Sequence, residues 1–460
     1  MSNVAKLAPN QKLYQQARLS RDRRFDGRFF VAVKTTGIFC RPICPANLPK
    51  EHNVEYFEHA TMALKAGYRP CKRCHPDSAP TSWRWLGTET TLQRAIQLIE
   101  QGYLQHNRLS VLADKLGISD RYLRALFTRY MGLSPKQYAL YQQLLFAKNL
   151  LHNSSLSVTD IGLASGFNSI RRFNDAFKKV LQITPTNLRR QSSSVAGSNK
   201  VTLAIRTPYD WRSLLAFYQA RSIQGVERVS ACSYRRSLVH QGKLCWFEVD
   251  FSPLENGLHA VEVRFDLAEI AQLRALLTKV RRMLDFDTDT ELIEHHLSGI
   301  EPQLIRNPGL RIPGVWDTWE AGARAVLGQQ VSIKAAIGQL NLLVQTLCRP
   351  DNLHFPTPIE VAQADLSFLR MPQARKDTLR RLAEFMIQNP NSHPEQWLEL
   401  KGIGPWTVNY AKIRGLSEPN CFLTTDLVVR KALGHFPNLD PKTASPWGSY
   451  ATFHCWSHYS

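Results

Sequence analysis

Apolar residues recur at two different periods along this chain, and the switches between them divide it. From Thr90 to Arg190 they return every three or four positions: Leu109, Leu112, Ala113 and Leu116 share one face, and Leu123, Leu126 and Phe127 another. That is the period of a helix, so this stretch is predicted to be all-helical. Between Val201 and about Leu310 the pattern turns to β-rich runs, Cys245-Trp246-Phe247-Glu248-Val249-Asp250-Phe251 and His259-Ala260-Val261-Glu262-Val263-Arg264-Phe265, with Asn256-Gly257 as turn chemistry between them. From Arg311 onward helical periodicity returns. The opening segment lacks a sustained period and is rich in Cys, Pro and Gly. Pro76-Asp77-Ser78-Ala79-Pro80 and the Ser-rich stretch from Gln191 to Asn199 read as linkers. The fold class expected is multidomain and mainly α with small α+β modules: a four-cysteine module (1–80), a helical module (88–190), an α+β module (201–310) and a second helical domain (311–460).

Charge sharpens this division. The chain of 460 residues carries a net +20. Residues 1–200 hold 30 Lys+Arg against 12 Asp+Glu, which is +18, and residues 201–460 hold 28 against 26, which is +2. So lopsided an excess fits phosphate binding better than a merely solvated surface. A membrane surface is the competing polyanion, but neither a basic amphipathic helix nor a lipidation motif is present. Met1 to Ser20 lacks the apolar core of a secretory signal, and no apolar run is long enough to span a bilayer. A soluble, cytoplasmic and nucleoid-associated protein is expected.

Nine cysteines are present, and four of them, Cys40, Cys44, Cys71 and Cys74, lie within 35 residues. In a cytosolic chain metal is the stronger reading and disulfides the weaker. Cys40-x3-Cys44 and Cys71-x2-Cys74 can wrap one tetrahedral Zn²⁺, and a module this small benefits from such a staple. A purely structural zinc is the ordinary reading of four such cysteines. Cys71-Lys72-Arg73-Cys74-His75 also matches a haem-attachment signature, but that chemistry implies export and leaves Cys40 and Cys44 unexplained. The other five cysteines are scattered and read as small buried hydrophobes.

Residues 25–42, Phe25 through Phe39-Cys40-Arg41-Pro42, and Ala66-Gly67-Tyr68-Arg69-Pro70-Cys71 resemble the N-terminal domain of the Ada-type adaptive-response regulators. The resemblance implies that Cys40 takes a methyl group from a DNA methylphosphotriester, with Cys44, Cys71 and Cys74 as the other zinc ligands. The physics agrees. Zinc-bound thiols stay deprotonated and nucleophilic. Zn²⁺ with four thiolates is formally −2, and methylating one sulfur lowers this to −1, so affinity for DNA should rise. Such a transfer consumes its acceptor and is stoichiometric.

Ser110 to Ser119 reads as helix, Gly turn and Ser cap, followed by a helix bearing Arg121, Arg124 and Arg129. About 49 residues on, from Gly117 to Gly166, the pattern repeats, and its second helix carries Arg171, Arg172, Lys178 and Lys179. A pair of helix-turn-helix units with basic second helices suits major-groove docking. The segment resembles the AraC-type DNA-binding domain, most clearly over Gly166-Phe167-Asn168-Ser169-Ile170-Arg171-Arg172-Phe173. That implies promoter DNA as a partner, with Arg121, Arg124, Arg171 and Arg172 as candidate contacts and RNA polymerase as a further partner.

In the last domain, Leu400-Lys401-Gly402-Ile403-Gly404-Pro405-Trp406-Thr407 reads as a helix-hairpin-helix, whose glycines let backbone N–H groups approach a phosphate. Asp426 follows Gly404 by 22 residues. By itself it reads as a helix N-cap before Leu427-Val428-Val429. This half, from about 201 to 460, resembles the HhH-GPD DNA glycosylases of the AlkA type, on Gly309-Leu310-Arg311-Ile312-Pro313-Gly314, Gly328-Gln329-Gln330-Val331-Ser332, Trp406-Thr407-Val408-Asn409-Tyr410 and Phe422-Leu423-Thr424-Thr425-Asp426. The resemblance implies that the α+β module is an AlkA-type N-terminal domain and that Asp426 is the catalytic carboxylate. It makes Trp406, Tyr410 and Trp456 pocket aromatics that attract a cationic alkylated purine, although core packing is the commoner role of such rings. Gln329 and Gln330 fall in the substrate loop, and Gln330 stands where the family carries an apolar wedge. Gly402 and Gly404 would touch DNA, and the hairpin carbonyls would hold a monovalent cation. No Schiff-base lysine is expected, so the enzyme should be monofunctional, releasing bases such as 3-methyladenine. No Pro-Cys-His-Arg motif occurs, so no O6-methylguanine transferase domain is expected. Two rivals stand: a regulator whose glycosylase half only binds DNA, and a glycosylase whose four cysteines are purely structural.

Overall fold

The computed structural model describes residues 11–19, 21, 25, 29–44, 46–71, 74, 76, 90–100, 102–190, 199–240, 243–255, 259–390 and 392–459. They fall into two compact units, Met1–Gly197 with Ile270–Ala275, and Ser198–Glu269 with Leu276–Ser460. Most of both expected linkers, 77–80 and 191–198, and the Asn256-Gly257 turn lie outside the described residues.

The first unit opens with a four-stranded sheet in the order β3-β1-β2-β4, formed by β1 (Phe30–Val33), β2 (Ile38–Cys40), β3 (Val54–Phe57) and β4 (Arg69–Pro70). Both faces are apolar. Phe29, Val31 and Val54 pack with Tyr14 on one side, and Phe30, Ala32 and Phe39 pack with Ala63 on the other. Alternate residues of β1 thus serve alternate cores, as the period of a strand requires.

Eight helices follow, from Thr90–Glu100 to Pro185–Arg190. The two helix-turn-helix units are Leu109–Lys115 with Asp120–Met131, and Val158–Ala164 with Ile170–Leu181. Each second helix is capped by the serine before it: Ser119 Oγ accepts from Tyr122 N, and Ser169 Oγ from Arg172 N. Between the units runs Pro135–Asn153, started by a Ser134/Gln137 capping box. Leu109, Leu112, Ala113, Leu123, Leu126 and Phe127 fill one core, as the periodicity predicts. Gly166 has φ +84°, and a Cβ there would lie 2.6 Å from the Gln105 side-chain carbon, so only glycine fits this turn.

The second unit begins with a five-stranded antiparallel sheet in the order β5-β9-β8-β7-β6: β5 (Lys200–Ala204), β6 (Glu227–Val229), β7 (Ser233–His240), β8 (Lys243–Asp250) and β9 (Ala260–Asp266). The two runs read as strands pair directly, Phe247 opposite Phe265 and Val249 opposite Val263. Their connection also contains a helical turn, Ser252–Glu255. The α+β character of this module is completed by Trp211–Gln219, Leu273–Met283 and Thr290–Ile300. Beyond it the fold is helical around Thr318–Gly328, in which every residue from Trp319 to Leu327 is buried.

That helix is tied to the sheet by a buried ionic quartet. Arg236 bonds Glu227 at 3.1 Å and Glu320 at 2.6 Å, and Arg324 bonds Glu227 at 2.7 Å and Glu320 at 2.8 Å. Each charge has two opposite partners, which is how such groups tolerate burial. Among the described residues no helix is long and apolar enough to cross a membrane.

Candidate functional sites

The four cysteines meet where β2 ends and β4 begins its exit. Those two strands pair in parallel, Phe39 opposite Pro70, and Cys71 N donates to Phe39 O at 2.9 Å. Cys44 is turned back by its own N–H, which donates to Arg41 O at 3.1 Å. The result is four sulfurs within 4.8 Å of one another. Cys74 Sγ accepts from Arg41 N at 3.3 Å. Hydrogen bonds with Cys44, Cys71 and Cys74 push the Cys40 thiol well above its ordinary range, while the bond with Cys40 lowers Cys44 to about 7. Four thiolates this close repel one another, so a dication between them is what lets all four ionise. An all-sulfur donor set of this size suits Zn²⁺. Cys44, Cys71 and Cys74 are buried residues and Cys40 is half-buried.

The helix-turn-helix units present their basic helices to solvent. Arg121, Arg124, Arg171, Arg172, Lys178 and Lys179 are all exposed. Arg124 is held by Asp120 one turn back, Nε to Oδ1 at 2.7 Å, whereas Arg121, Arg171 and Arg172 make no ion pair among the described residues. Tyr122 and Ile170 are exposed on the same two helices, at 52% and 42%.

In the second unit the hairpin runs from the turn at Pro394–Glu399 into the helix Pro405–Ala411, with Gly404 as its N-cap and Pro405 at N1. Gly402 has φ +97°, and a Cβ there would meet Thr378 Oγ1 at 2.1 Å. The hairpin carbonyls are engaged: Lys401 O accepts from Arg381 Nη2 at 3.0 Å and Thr378 Oγ1 at 3.3 Å, and Gly402 O accepts from Gln329 Nε2 at 3.2 Å.

Asp426 N-caps the helix Leu427–Leu433, as its bland reading has it, but the cap is half of its environment. Oδ1 accepts from Val428 N at 3.0 Å, Val429 N at 3.2 Å and Trp456 Nε1 at 3.1 Å, and Oδ2 accepts from Trp406 Nε1 at 3.2 Å. Two indole N–H groups from helices far apart in sequence therefore clamp one carboxyl group. Trp406 stacks on Tyr410, centroids 5.3 Å apart at 26°. Asp426, Trp406, Tyr410 and Trp456 are all half-buried, which a pocket wall must be and a core need not. Charge developing beside these groups would meet a carboxylate and ring faces in partly desolvated surroundings.

The structure thus brings four of the expected residues together. Gln329 lies at the hairpin, its amide also bonded to Thr407 Oγ1 at 3.2 Å. Gln330 is exposed with φ +56°, a conformation that side chains adopt rarely, and Val331 and Ile333 beside it are 41% and 48% exposed. Arg414, Phe217 and Phe453 escaped the sequence reading. Arg414 Nη1 donates to Tyr410 Oη at 2.8 Å, and Phe453 packs on Trp456 at 4.8 Å. The Tyr410-x3-Arg414 spacing on a helix was the one available signal.

Three family patterns match the chain: the metal binding domain of Ada over residues 14–77, a helix-turn-helix domain over 112–191 and the AlkA N-terminal domain over 200–317. A probable bifunctional transcriptional activator/DNA repair enzyme AlkA of Mycobacterium tuberculosis is 34% identical over 475 residues, covering 95% of this chain and 94% of that one. DNA-3-methyladenine glycosylase 2 of Escherichia coli is 30% identical over 282 residues, which cover 55% of this chain and 96% of its own. The bifunctional transcriptional activator/DNA repair enzyme AdaA of Bacillus subtilis is 31% identical over 194 residues, covering 42% of this chain and 88% of its own.

Proposed function

The chain belongs to the bifunctional transcriptional activators and DNA repair enzymes that join an Ada-type zinc-binding domain to an AlkA-type glycosylase, and from that premise we propose how its residues divide the work. It is a DNA alkylation-response protein, at once a DNA-binding regulator, a stoichiometric methyltransferase and a DNA-3-methyladenine glycosylase. We assign residues 1–80 to the methyl-accepting domain, 88–190 to the AraC-type DNA-binding domain, 201–310 to the AlkA-type N-terminal domain and 311–460 to the HhH-GPD domain.

Cys40, Cys44, Cys71 and Cys74 would hold zinc, which keeps their thiols deprotonated at neutral pH. Cys40 Sγ attacks the methyl carbon of a phosphotriester. The S–C bond forms, the O–C bond breaks, and the phosphate oxygen leaves with the electron pair, restoring the phosphodiester anion. One thiolate charge is thereby lost beside DNA, so affinity rises and Arg121, Arg124, Arg171 and Arg172 engage promoter DNA more firmly. RNA polymerase is the further partner that a bound activator would reach, and the nucleoid of the cytoplasm is where both substrates lie.

In the glycosylase half, Trp406, Tyr410 and Trp456 receive the extruded base, with Gln329 and Gln330 in the loop that fronts it. Exposed Val331 and Ile333 beside Gln330 offer the apolar surface that Gln330 lacks. Asp426 stabilises positive charge on the sugar as the N-glycosidic bond breaks and the base takes the bonding pair, and water then adds to the sugar and gives up a proton to solvent. The N–H groups around Gly402 and Gly404 grip the flanking phosphate. A monovalent cation at the hairpin would share the carbonyls there with Arg381 and Thr378, which donate to Lys401 O, and with Gln329, which donates to Gly402 O.

The observation that carries the glycosylase reading is the Asp426 carboxyl clamped between two indole N–H groups of a half-buried aromatic wall. One incubation with methylated duplex DNA tests both activities. Chromatography should find free 3-methyladenine accumulating with repeated turnover, and mass spectrometry should find one added methyl, on Cys40. Absence of released base refutes the first activity; a methyl on another residue refutes the second.

A further inference from the structure

Arg414 is a buried cation with no carboxylate. It is 2% exposed, makes no ion pair among the described residues, and its Nε has no hydrogen-bond partner. Its guanidinium lies over two rings, 4.9 Å from the centroid of Phe217 and 5.5 Å from that of Tyr410. A second arginine, Arg221, stands 3.7 Å from the same Phe217 centroid, and burial together with Arg414 lowers it to about 10. Two cations sharing one ring without a counter-ion are expensive for stability alone.

The backbone shows what holds Arg414 in place. Residues Lys412–Leu416 form a π-helical turn, in which carbonyls are released from the regular ladder. Val315 N donates to Arg414 O at 2.8 Å, and Arg282 Nη1 donates to Gly415 O. The side chain is thereby fixed below the Tyr410 phenol, to which Nη1 donates at 2.8 Å.

A guanidinium can only donate, so the phenol oxygen must accept. The phenol's own hydrogen cannot be returned to Arg414, and among the described residues no other group accepts it. Tyr410 is half-buried and stacked on Trp406, whose indole N–H holds Asp426 Oδ2. We infer that Arg414 is a positioning residue for base excision: by occupying the acceptor side of the Tyr410 hydroxyl, it leaves that hydroxyl's hydrogen for a lone pair of the bound purine, a ring nitrogen or a carbonyl oxygen. This rests on the glycosylase reading above. The neighbouring cation also polarises the phenol and strengthens it as a donor. A hydrogen bond of this kind tightens as the base departs with the electron pair of the broken bond, so it acts on the rate and not only on binding.

The test is a double-mutant cycle on the full chain, read as single-turnover release of 3-methyladenine and 7-methylguanine from methylated duplex DNA. Tyr410→Phe removes one oxygen and keeps the ring, and should slow release about tenfold. Arg414→Met should slow it several-fold, and Arg414→Lys, which keeps a cationic donor, should recover part of that loss. In the Tyr410→Phe background Arg414→Met should have no further effect, because the hydroxyl through which it acts is gone. An unchanged rate in Tyr410→Phe, or losses that multiply in the double variant, would overturn the inference and leave Arg414 a packing residue. Where Arg414→Met does not fold, Tyr410→Phe with and without Arg414→Lys decides the same question. A wild-type chain that releases no purine would instead refute the glycosylase reading itself.

Discussion

Cys40 and Asp426, the two groups proposed to react, both have surroundings built by the chain, but over very different distances. Among the described residues, what shapes Cys40 comes from a short stretch, 31 to 74: three sister thiols, the Arg41 N–H, Val31 opposite it on β1 and the pairing of β2 with β4. Asp426 depends on Trp406, Tyr410 and Arg414 upstream, Trp456 downstream and Phe217 from the α+β module, a span of 240 residues from 217 to 456. The first site is a local knot that fails whole. The second is a distributed wall, in which the proposed catalytic carboxyl group should outweigh any other single member.

The sharpest way to break this comparison is at the knot. Cys71→Ser should abolish stoichiometric zinc, methyl transfer and the fold around β2 and β4 together, because a small module loses its staple. Base excision should continue. Metal analysis alongside both activity assays checks it, and full zinc retention would refute the four-ligand assignment. Next in size is Asp426→Asn, which keeps shape but removes charge, and should slow base release by on the order of 10²–10³. Methylation of Cys40 by the same variant should proceed at the wild-type rate. Excision at the normal rate would make the inactive-glycosylase rival the leading account. Smaller again is Gly402→Ala. The backbone strain at φ +97° and the approach of Thr378 Oγ1 should shift the hairpin and weaken the KM for damaged duplex roughly tenfold, with the kcat of excision far less affected. An unchanged KM would remove the hairpin from phosphate binding.

The same contrast decides how much could be read from sequence. The cysteines, the two Gly turns, the Ser119 cap and the strand pair around Phe247 and Phe265 are local patterns, and each appears in the structure where the sequence predicts it; the Ser169 cap is a further one of the same kind. Asp426 was singled out through the hairpin spacing and the family resemblance, and its carboxyl group both N-caps a helix and accepts from the Trp406 indole. What was not legible is what only tertiary contact creates. Arg414 reads as an ordinary exposed helix residue until the π-helical turn buries it. The Glu227, Arg236, Glu320 and Arg324 quartet joins residues up to 97 positions apart, and no period marks such a set. Gln329 belongs to the motif that resembles a substrate loop, yet its amide is spent on the hairpin.

The smallest effect should come from a residue assigned to neither site. His354 is buried, with Nδ1 3.0 Å from Asn352 O and Nε2 3.3 Å from both Glu360 oxygens. Carbonyl and carboxylate oxygens accept, so these contacts favour a ring that carries hydrogens on both nitrogens. The hydrogen bond with Cys348 is the largest influence raising it, with Asn352 and Glu360 adding to it, and together they lift His354 from 6.5 to about 9. A group raised on folding stabilises fully below its unfolded value, so the contribution is complete below about pH 6.5 and is lost as pH climbs through about 9. The Glu360 side chain is 36% exposed, and solvent screening brings the expected loss to about 1–2 kcal/mol. The pair clips the end of Ile333–Leu347 to the start of Pro358–Gln363, both in the glycosylase half. Denaturant unfolding between pH 6 and 10, followed by tryptophan fluorescence, should show the glycosylase half softening over this window. In His354→Gln that slope should flatten. A wild-type profile with no loss across the window, or one that His354→Gln leaves unaltered, would show that His354 is not held as a cation.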